Sequence, residues 1–423
     1  MPHYNLQDVF GVHVVPPAQT YVDRSGLDGR IEYFLTTGRH LVIYGPSKQG
    51  KTALRRRAIP DDQCVTVQSR QTPNTEAIYD EILRRLGVSR TIDNEVAKGR
   101  EFSVTGGGSG GINIPFIGKG EAKAEGQAGT SHEAKTTTAP IGNDSSNLAF
   151  VASEITKSGL RIVIEDFHYI PEGAKRTFAV DLKALFEYGV SMVIIGAWEE
   201  QHVLVAYNGD LAGRVDEINL RWTDAELREV LSKGQTALNI EFSTEITREM
   251  VSDASGSVGL LQRIAEKLCV EAGCYRTESR EPLTISDMLL LQTARGHICS
   301  EEAIRYRNFG WSVSEGFPNS REKSKTVYMR IIQVCVEATE AELIAGLSQT
   351  QIIERVTTMD ATITPRNVRD ALQRIDKLQS EKAIYPTIAT FNMVSRTLHL
   401  ADRELLFYRK YGGPRWPWED ADE

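Results

Sequence analysis

The stretch Leu41-Val42-Ile43-Tyr44-Gly45-Pro46-Ser47-Lys48-Gln49-Gly50-Lys51-Thr52 decides the reading of this chain. It is a complete G-x-x-x-x-G-K-[ST] phosphate loop. An apolar, strand-prone run leads in, and a helix-prone run, Ala53-Leu54-Arg55-Arg56-Arg57-Ala58, leads out. Glycines let the backbone curl so that successive N–H groups face phosphate oxygens. The helix that follows adds its positive N-terminal end. Lys51 is expected at the β- and γ-phosphates and Thr52 on Mg²⁺. Gly45, Pro46, Ser47, Lys48, Gln49, Gly50, Lys51, Thr52 and Ala53 are therefore the candidate nucleotide-binding residues.

Length and composition set the frame. The 423 residues allow two or three domains, each with its own core. Hydrophobic residues at 41% and charged residues at 25% are those of a soluble globular protein. No apolar run is long enough to span a membrane, and Met1-Pro2-His3-Tyr4-Asn5 is no export leader, so a cytoplasmic protein is expected. Five scattered cysteines without C-x-x-C spacing read as buried free thiols. A net charge of −8 argues against indiscriminate coating of nucleic acid but leaves room for a local basic face.

Working outward, strands are expected at 41–44, 64–68, 161–164 and 191–195, and helices at 26–35, 75–86 and 174–188. Strands alternating with helices imply an α/β domain with a mostly parallel sheet. Residues 101–147 interrupt this pattern and hold ten of the 34 glycines. They read as a low-complexity insert or as a β-hairpin with Phe116 and Ile117 at its tip. Beyond Trp222 the pattern turns helical (223–233, 244–254, 259–272) without strand runs, as in a small lid. Helices are expected again at 327–338, 348–359 and 365–381, followed by two strand-like runs at 388–392 and 397–400 and then the apolar run 405–408. Three helices and a β-ribbon describe a winged helix. The tail from Gly412 contains Trp416 and Trp418 and reads as a frayed end or a short docking peptide.

The other half of a nucleotide site is an acidic pair at the end of a buried strand. Arg161-Ile162-Val163-Ile164-Glu165-Asp166 supplies it, and the carboxyl end of such a strand faces the ligand crevice. One carboxylate is needed for the Mg²⁺ shell and one to polarise water. Their order along the strand assigns Glu165 to the metal, with Thr52, and Asp166 to water.

With these residues in view, the chain resembles the AAA+ ATPases, in particular the initiator-like group and the neighbouring STAND-type signalling ATPases. The resemblance implies ATP as the nucleotide and Mg²⁺ as the metal. It implies that Val22 and Arg24, in Tyr21-Val22-Asp23-Arg24, border the adenine. Arg214, in Asp210-Leu211-Ala212-Gly213-Arg214-Val215, matches the finger that reaches the γ-phosphate of the next subunit, so ATP-dependent homo-oligomers are implied. Arg263 matches the lid's sensor arginine. Two features depart from the family pattern. The pair reads Glu-Asp instead of Asp-Glu, and Gly196-Ala197-Trp198-Glu199 lacks the polar sensor after the fourth strand, which implies either slow turnover or Glu199 as a substitute.

The domains expected are therefore 1–222, a nucleotide-binding core with the 101–147 insert; 223–300, a helical lid; 301–324, a linker; 325–411, a winged helix; and 412–423, an acidic tail. Arg366, Asn367, Arg369, Gln373, Lys377 and, in the wing, Arg396 are side-chain types that bind base edges and phosphates, so double-stranded DNA is the expected partner. Two functions fit. One is an ATP switch that binds DNA, working beside a recombinase-like protein. The other is a STAND-like signalling or antiviral defence ATPase with a separately encoded effector. Neither involves a membrane.

Overall fold

The computed structural model describes residues 2–13, 17–69, 74–88, 143–318 and 322–419. The glycine-rich hairpin expectation, with Phe116 and Ile117, lies outside the described residues.

Five strands, β1 (His40–Tyr44), β2 (Cys64–Gln68), β3 (Arg161–Glu165), β4 (Met192–Gly196) and β5 (Val215–Asn219), form a parallel sheet in the order β2-β3-β4-β1-β5. Every residue of β1 and β4 is buried. That is why their sequences are unbroken apolar runs, as expected of strands covered on both faces. β5 was not anticipated. It lies at the edge and buries only Ile218, while Asp216 pairs with Arg39 at 3.1 Å. Helices Thr75–Arg85, Leu148–Ser158 and Glu172–Glu187 cover one face, and Phe178 sits at its centre. Its ring lies 5.4 Å from Phe167 and 6.3 Å from Tyr79.

The lid is helical at 224–238, 244–254 and 258–271, but it is not free of strands. β6 (Ile240–Phe242) and β7 (Leu283–Ile285) pair in parallel across it. They are too short to leave a periodic signal. The N-terminal helix Leu6–Phe10 also packs here, with Phe10 lying over Gly234 where a side chain would collide with it.

A single helix, Met288–Ser314, runs straight through the expected lid–linker boundary at 300/301. It joins the lid to the C-terminal unit in one continuous apolar core. In that unit helices Glu322–Glu337, Gln349–Met359 and Pro365–Leu372 pack together, beside an antiparallel sheet of β8 (Leu347–Ser348), β9 (Ala389–Asn392) and β10 (Thr397–Leu400) in the order β8-β10-β9. Two expectations are corrected and one unassigned run is settled. The helix expected over 365–381 is two helices, Pro365–Leu372 and Ile375–Glu381, with Arg374 between them. The apolar run 405–408, which the sequence leaves unassigned, is helical within Glu404–Tyr411; all four of its side chains are buried, so no face contrast marks the helix. The tail is packed as far as 419. Trp416 and Trp418 are buried and stacked, with Trp416 seated on Gly310.

Phe178→Ala should remove the centre of the sheet's aromatic cover and cost about 3–5 kcal/mol. The expected outcome is a lower urea midpoint for the transition that reports the sheet domain.

Candidate functional site

The carboxyl ends of β1 and β3 open onto one cavity of about 980 Å³. The loop leaving β1 depends on two glycines. Gly45 has φ +140° and approaches the Leu220 carbonyl so closely that a Cβ would lie 2.3 Å from its oxygen. Gly50, at φ +80°, caps the helix Lys51–Ala58. Between them Lys48 holds the left-handed conformation at φ 60°, a strained state for a side-chain-bearing residue.

Residues 47–53 line the cavity, together with Glu165 and Asp166. Lys51 donates to the carbonyls of Gly45, at 3.0 Å, and Pro46. Burial pushes its ammonium down to about 8, and the negative charges of Asp166 and Glu199 pull it the other way. Val22 and Arg24 line the same cavity, so the segment expected at the base is brought to the loop. Arg24 lies 4.0 Å over the Trp222 ring, and its Nη1 is buried without a hydrogen-bond partner among the described residues. Trp222 donates through Nε1 to the Gln49 carbonyl at 3.1 Å.

The two acids differ. Glu165 is buried, and both its oxygens are engaged: Arg55 Nη2 donates to Oε1 at 2.9 Å and Gln68 Nε2 to Oε2 at 2.7 Å. Asp166 turns the chain at φ 58° immediately after the strand. His168 is a turn residue whose Nδ1 accepts the Ala197 N–H at 3.2 Å.

Arg263 lines the cavity but is gripped by Glu301, Glu302 and Glu404, each at 2.9 Å. Arg214 is elsewhere. It precedes β5, and its carbonyl accepts the His40 N–H at the opposite end of β1 from the loop. At about 3.3 Å per residue, five strand residues separate it from its own loop by roughly 16 Å. Glu199 is locked between Arg403 at 2.8 Å and Arg221 at 2.5 Å.

Sequence reading missed the C-terminal unit's grip on the loop. The Ser47 N–H donates to the Ala401 carbonyl at 2.8 Å, and Lys48 Nζ meets Glu404 Oε2 at 2.5 Å. Glu200 accepts from Ser395 at 2.9 Å and lies 2.9 Å from His399. Neither partner carries a motif, so no local signal pointed to them.

The expected DNA-binding residues are dispersed. Arg366, Arg369 and Gln373 are exposed at or just past the helix Pro365–Leu372. Arg366 faces Asp370 at 3.8 Å, and Lys377, on the next helix, faces Glu381 at 3.5 Å. Asn367 is exposed on the same helix, and its Oδ1 accepts from Thr364 Oγ1 at 2.6 Å in the capping box. Arg396 sits exposed in the β9–β10 turn at φ 54°.

No family model matches the chain, and no curated protein matches it. Solved structures do. A Walker-type ATPase of Pyrococcus abyssi is similar at 12% identity with a TM-score of 0.50, over 95% of this chain and 99% of that one. The Orc1 protein of Aeropyrum pernix, in a complex with DNA, is similar at 14% identity with a TM-score of 0.46, over 97% and 96%. A STAND protein with a tetratricopeptide repeat sensor from Pyrococcus horikoshii gives 11% and 0.36, over 97% of this chain and 45% of that one. The first likeness shows the fold alone, one shared with that Walker-type ATPase. No helix among the described residues is long and apolar enough to cross a membrane.

A phosphate held by Lys51 requires the ammonium form. With Lys51 titrating near 8 in the free site, binding above that pH must take up a proton, so affinity falls as pH rises. Fold stability moves the other way, because the folded value lies below the ordinary lysine value. Titration with a fluorescent nucleotide should show binding weakening by up to about tenfold per pH unit above pH 8.

Proposed function

We propose that this chain is an ATP-binding and slowly hydrolysing switch whose C-terminal unit, read as a winged helix, carries the response to DNA. One observation carries the reading. The cavity that gathers Lys51, Thr52 and the acidic end of β3 is walled by a loop hydrogen-bonded to the C-terminal unit through Ala401 and Glu404. A ligand that reshapes this loop acts on that unit directly.

The donor set fits Mg²⁺. Thr52, Glu165 and Asp166 offer hard oxygens beside the lysine, and no group of three or more ligating side chains among the described residues forms a metal cage. That combination suits a cation carried largely by phosphates and water. Bound there, Mg²⁺ would neutralise charge on the phosphates. Loop amides and Lys51 hold the phosphates, Val22 and Arg24 border the base, and a carboxylate orients water. Glu199 is held by Arg403 and Arg221. It is a poor substitute for the missing polar sensor, and this supports slow turnover.

Arg214 supports an oligomer, since a finger so far from its own loop is useful only to a neighbour's. Arg263, bound to three carboxylates, acts as a sensor only if ATP draws it from them. DNA is the proposed partner through Arg366, Arg369, Gln373 and Arg396, which stay exposed. The STAND-like reading, with a separate effector, is favoured by one observation of its own: the C-terminal unit is packed onto the loop as an internal module.

Gel shifts with random and specific duplexes should show binding that tightens with ATP and weakens steeply with salt. No ATP-dependent binding at low salt would remove DNA and leave the signalling reading. Arg214→Ala should lower turnover per protomer while leaving nucleotide loading intact, and should abolish the rise of specific activity with protein concentration. Equal concentration profiles in both proteins would remove the trans role.

A further inference from the structure

A single carboxylate oxygen of the C-terminal unit holds two cations of the cavity wall. Glu404 opens the helix Glu404–Tyr411 and is 2% exposed. Its Oε2 meets Lys48 Nζ of the phosphate loop at 2.5 Å and accepts from Arg263 Nη1 of the lid at 2.9 Å. Lys48 and Arg263 both line the cavity. A phosphate chain entering there meets the same two cations, already paired with a buried acid. The Glu404 charge also faces any anion placed beside Lys48, and like charges at short range repel. A basic side chain in this position would bridge to a phosphate and close the unit on the ligand. An acid does the reverse.

The contact is costly as it stands. Glu404 Oε1 is buried without a hydrogen-bond partner among the described residues, and so are both side-chain amide atoms of Gln49, next to Lys48 in the loop. Asp402, 1% exposed, sets a second negative charge beside Glu404 and is held there by Arg305 and Tyr306. Burial and Asp402 push the Glu404 carboxyl up, against Lys48 and Arg263. Arg263 has further acids to fall back on, since Glu301 and Glu302 also take it at 2.9 Å. Lys48 has Glu404 as its one ion-pair partner among the described residues. Whatever draws Lys48 away therefore unfastens the loop from the helix that carries Glu404.

We propose that Glu404 is an internal competitor for the nucleotide's phosphates: a triphosphate takes Lys48 and Arg263 from it and so releases the C-terminal unit from the phosphate loop. This rests on the ATP reading and adds the direction of the coupling. By linkage, the contact weakens nucleotide binding by the same factor as nucleotide weakens the contact.

The test uses the full-length chain and a non-hydrolysable ATP analogue. Calorimetry reads affinity. Electron paramagnetic resonance reads the distance between spin labels at Tyr188→Cys, exposed on the sheet domain, and Lys377→Cys, exposed on the C-terminal unit. The five native cysteines are buried, and labelled protein is diluted with unlabelled so that only distances within one chain are seen. In the wild type the analogue should lengthen that distance. Glu404→Gln should bind the analogue at least about fivefold more tightly than the wild type, the lower end of ordinary coupling between sites. Glu302→Gln controls for charge alone: it removes an acid that holds Arg263 from the long helix and does not reach the loop, so it should tighten binding less. An unchanged label distance on binding to the wild type would overturn the proposal, and this measurement decides if Glu404→Gln does not fold. Unchanged or weaker binding by folded Glu404→Gln, or equal tightening in Glu302→Gln, would also overturn it while leaving ATP binding standing. Absence of analogue binding to both the wild type and folded Glu404→Gln would overturn the ATP reading and this inference with it.

Discussion

The pairing of β1 between β4 and β5 is the constraint on which the rest depends. A strand enclosed on both edges and both faces cannot shift register without exposing Leu41, Val42 and Ile43. Its carboxyl end is therefore fixed, and with it the place where the chain must turn. That turn brings Gly45 within van der Waals reach of the Leu220 carbonyl, which in turn follows β5. The loop thus takes its shape from the two ends of one strand pair. β3, beyond β4, delivers Glu165 and Asp166 to the same edge because parallel strands end on one side.

A second layer of constraint runs from the loop outward. Ser47 and Lys48 are bonded to Ala401 and Glu404, the Lys48 carbonyl accepts the Gly259 N–H from the lid at 3.2 Å, and Trp222 holds Gln49. Sheet, lid and C-terminal unit therefore meet at adjacent loop residues. The strain at Lys48, left-handed without being glycine, is sustained by these contacts on either side of its peptide. A glycine there would take the same φ freely, but it would have no ammonium for Glu404.

The legibility of the chain follows locality. The phosphate loop, β1, β3, β4 and the acidic pair could be read because their chemistry is contained in consecutive residues. β5 could not, since Val215-Asp216-Glu217-Ile218-Asn219 buries one side chain and resembles a loop until an edge is assigned to it. The helix Glu404–Tyr411 leaves no periodic signal because Leu405, Leu406, Phe407 and Tyr408 are all buried, which erases the helical period. Arg55 stands in a run of three arginines, and nothing local shows that one of them is buried against an acid 110 positions away. Ala401 and Glu404 were invisible for the same reason: their role exists only once the long helix Met288–Ser314 has returned the chain to the loop.

The chemistry of the contact between the phosphate side and the C-terminal unit bears on what it is for. It is rich in charge: Lys48 with Glu404, Arg403 with Glu199, His399 beside Glu200. Burial pushes the Glu404 carboxyl up despite Lys48 and Arg263, while Arg305 holds the neighbouring Asp402 down. Such pairs cost desolvation to form and return much of it when hydrated, so their net hold is small compared with an apolar surface of the same size. The lid and the C-terminal unit, by contrast, share a continuous apolar core. A molecule joined permanently on one side by hydrocarbon and on the other by ion pairs has a defined line along which to part. That line passes through Lys48, three residues from Lys51, the lysine proposed to meet the phosphates. A highly charged ligand arriving there competes for the same cations that hold the two sides together, so the contact is most easily weakened at the point where the ligand enters.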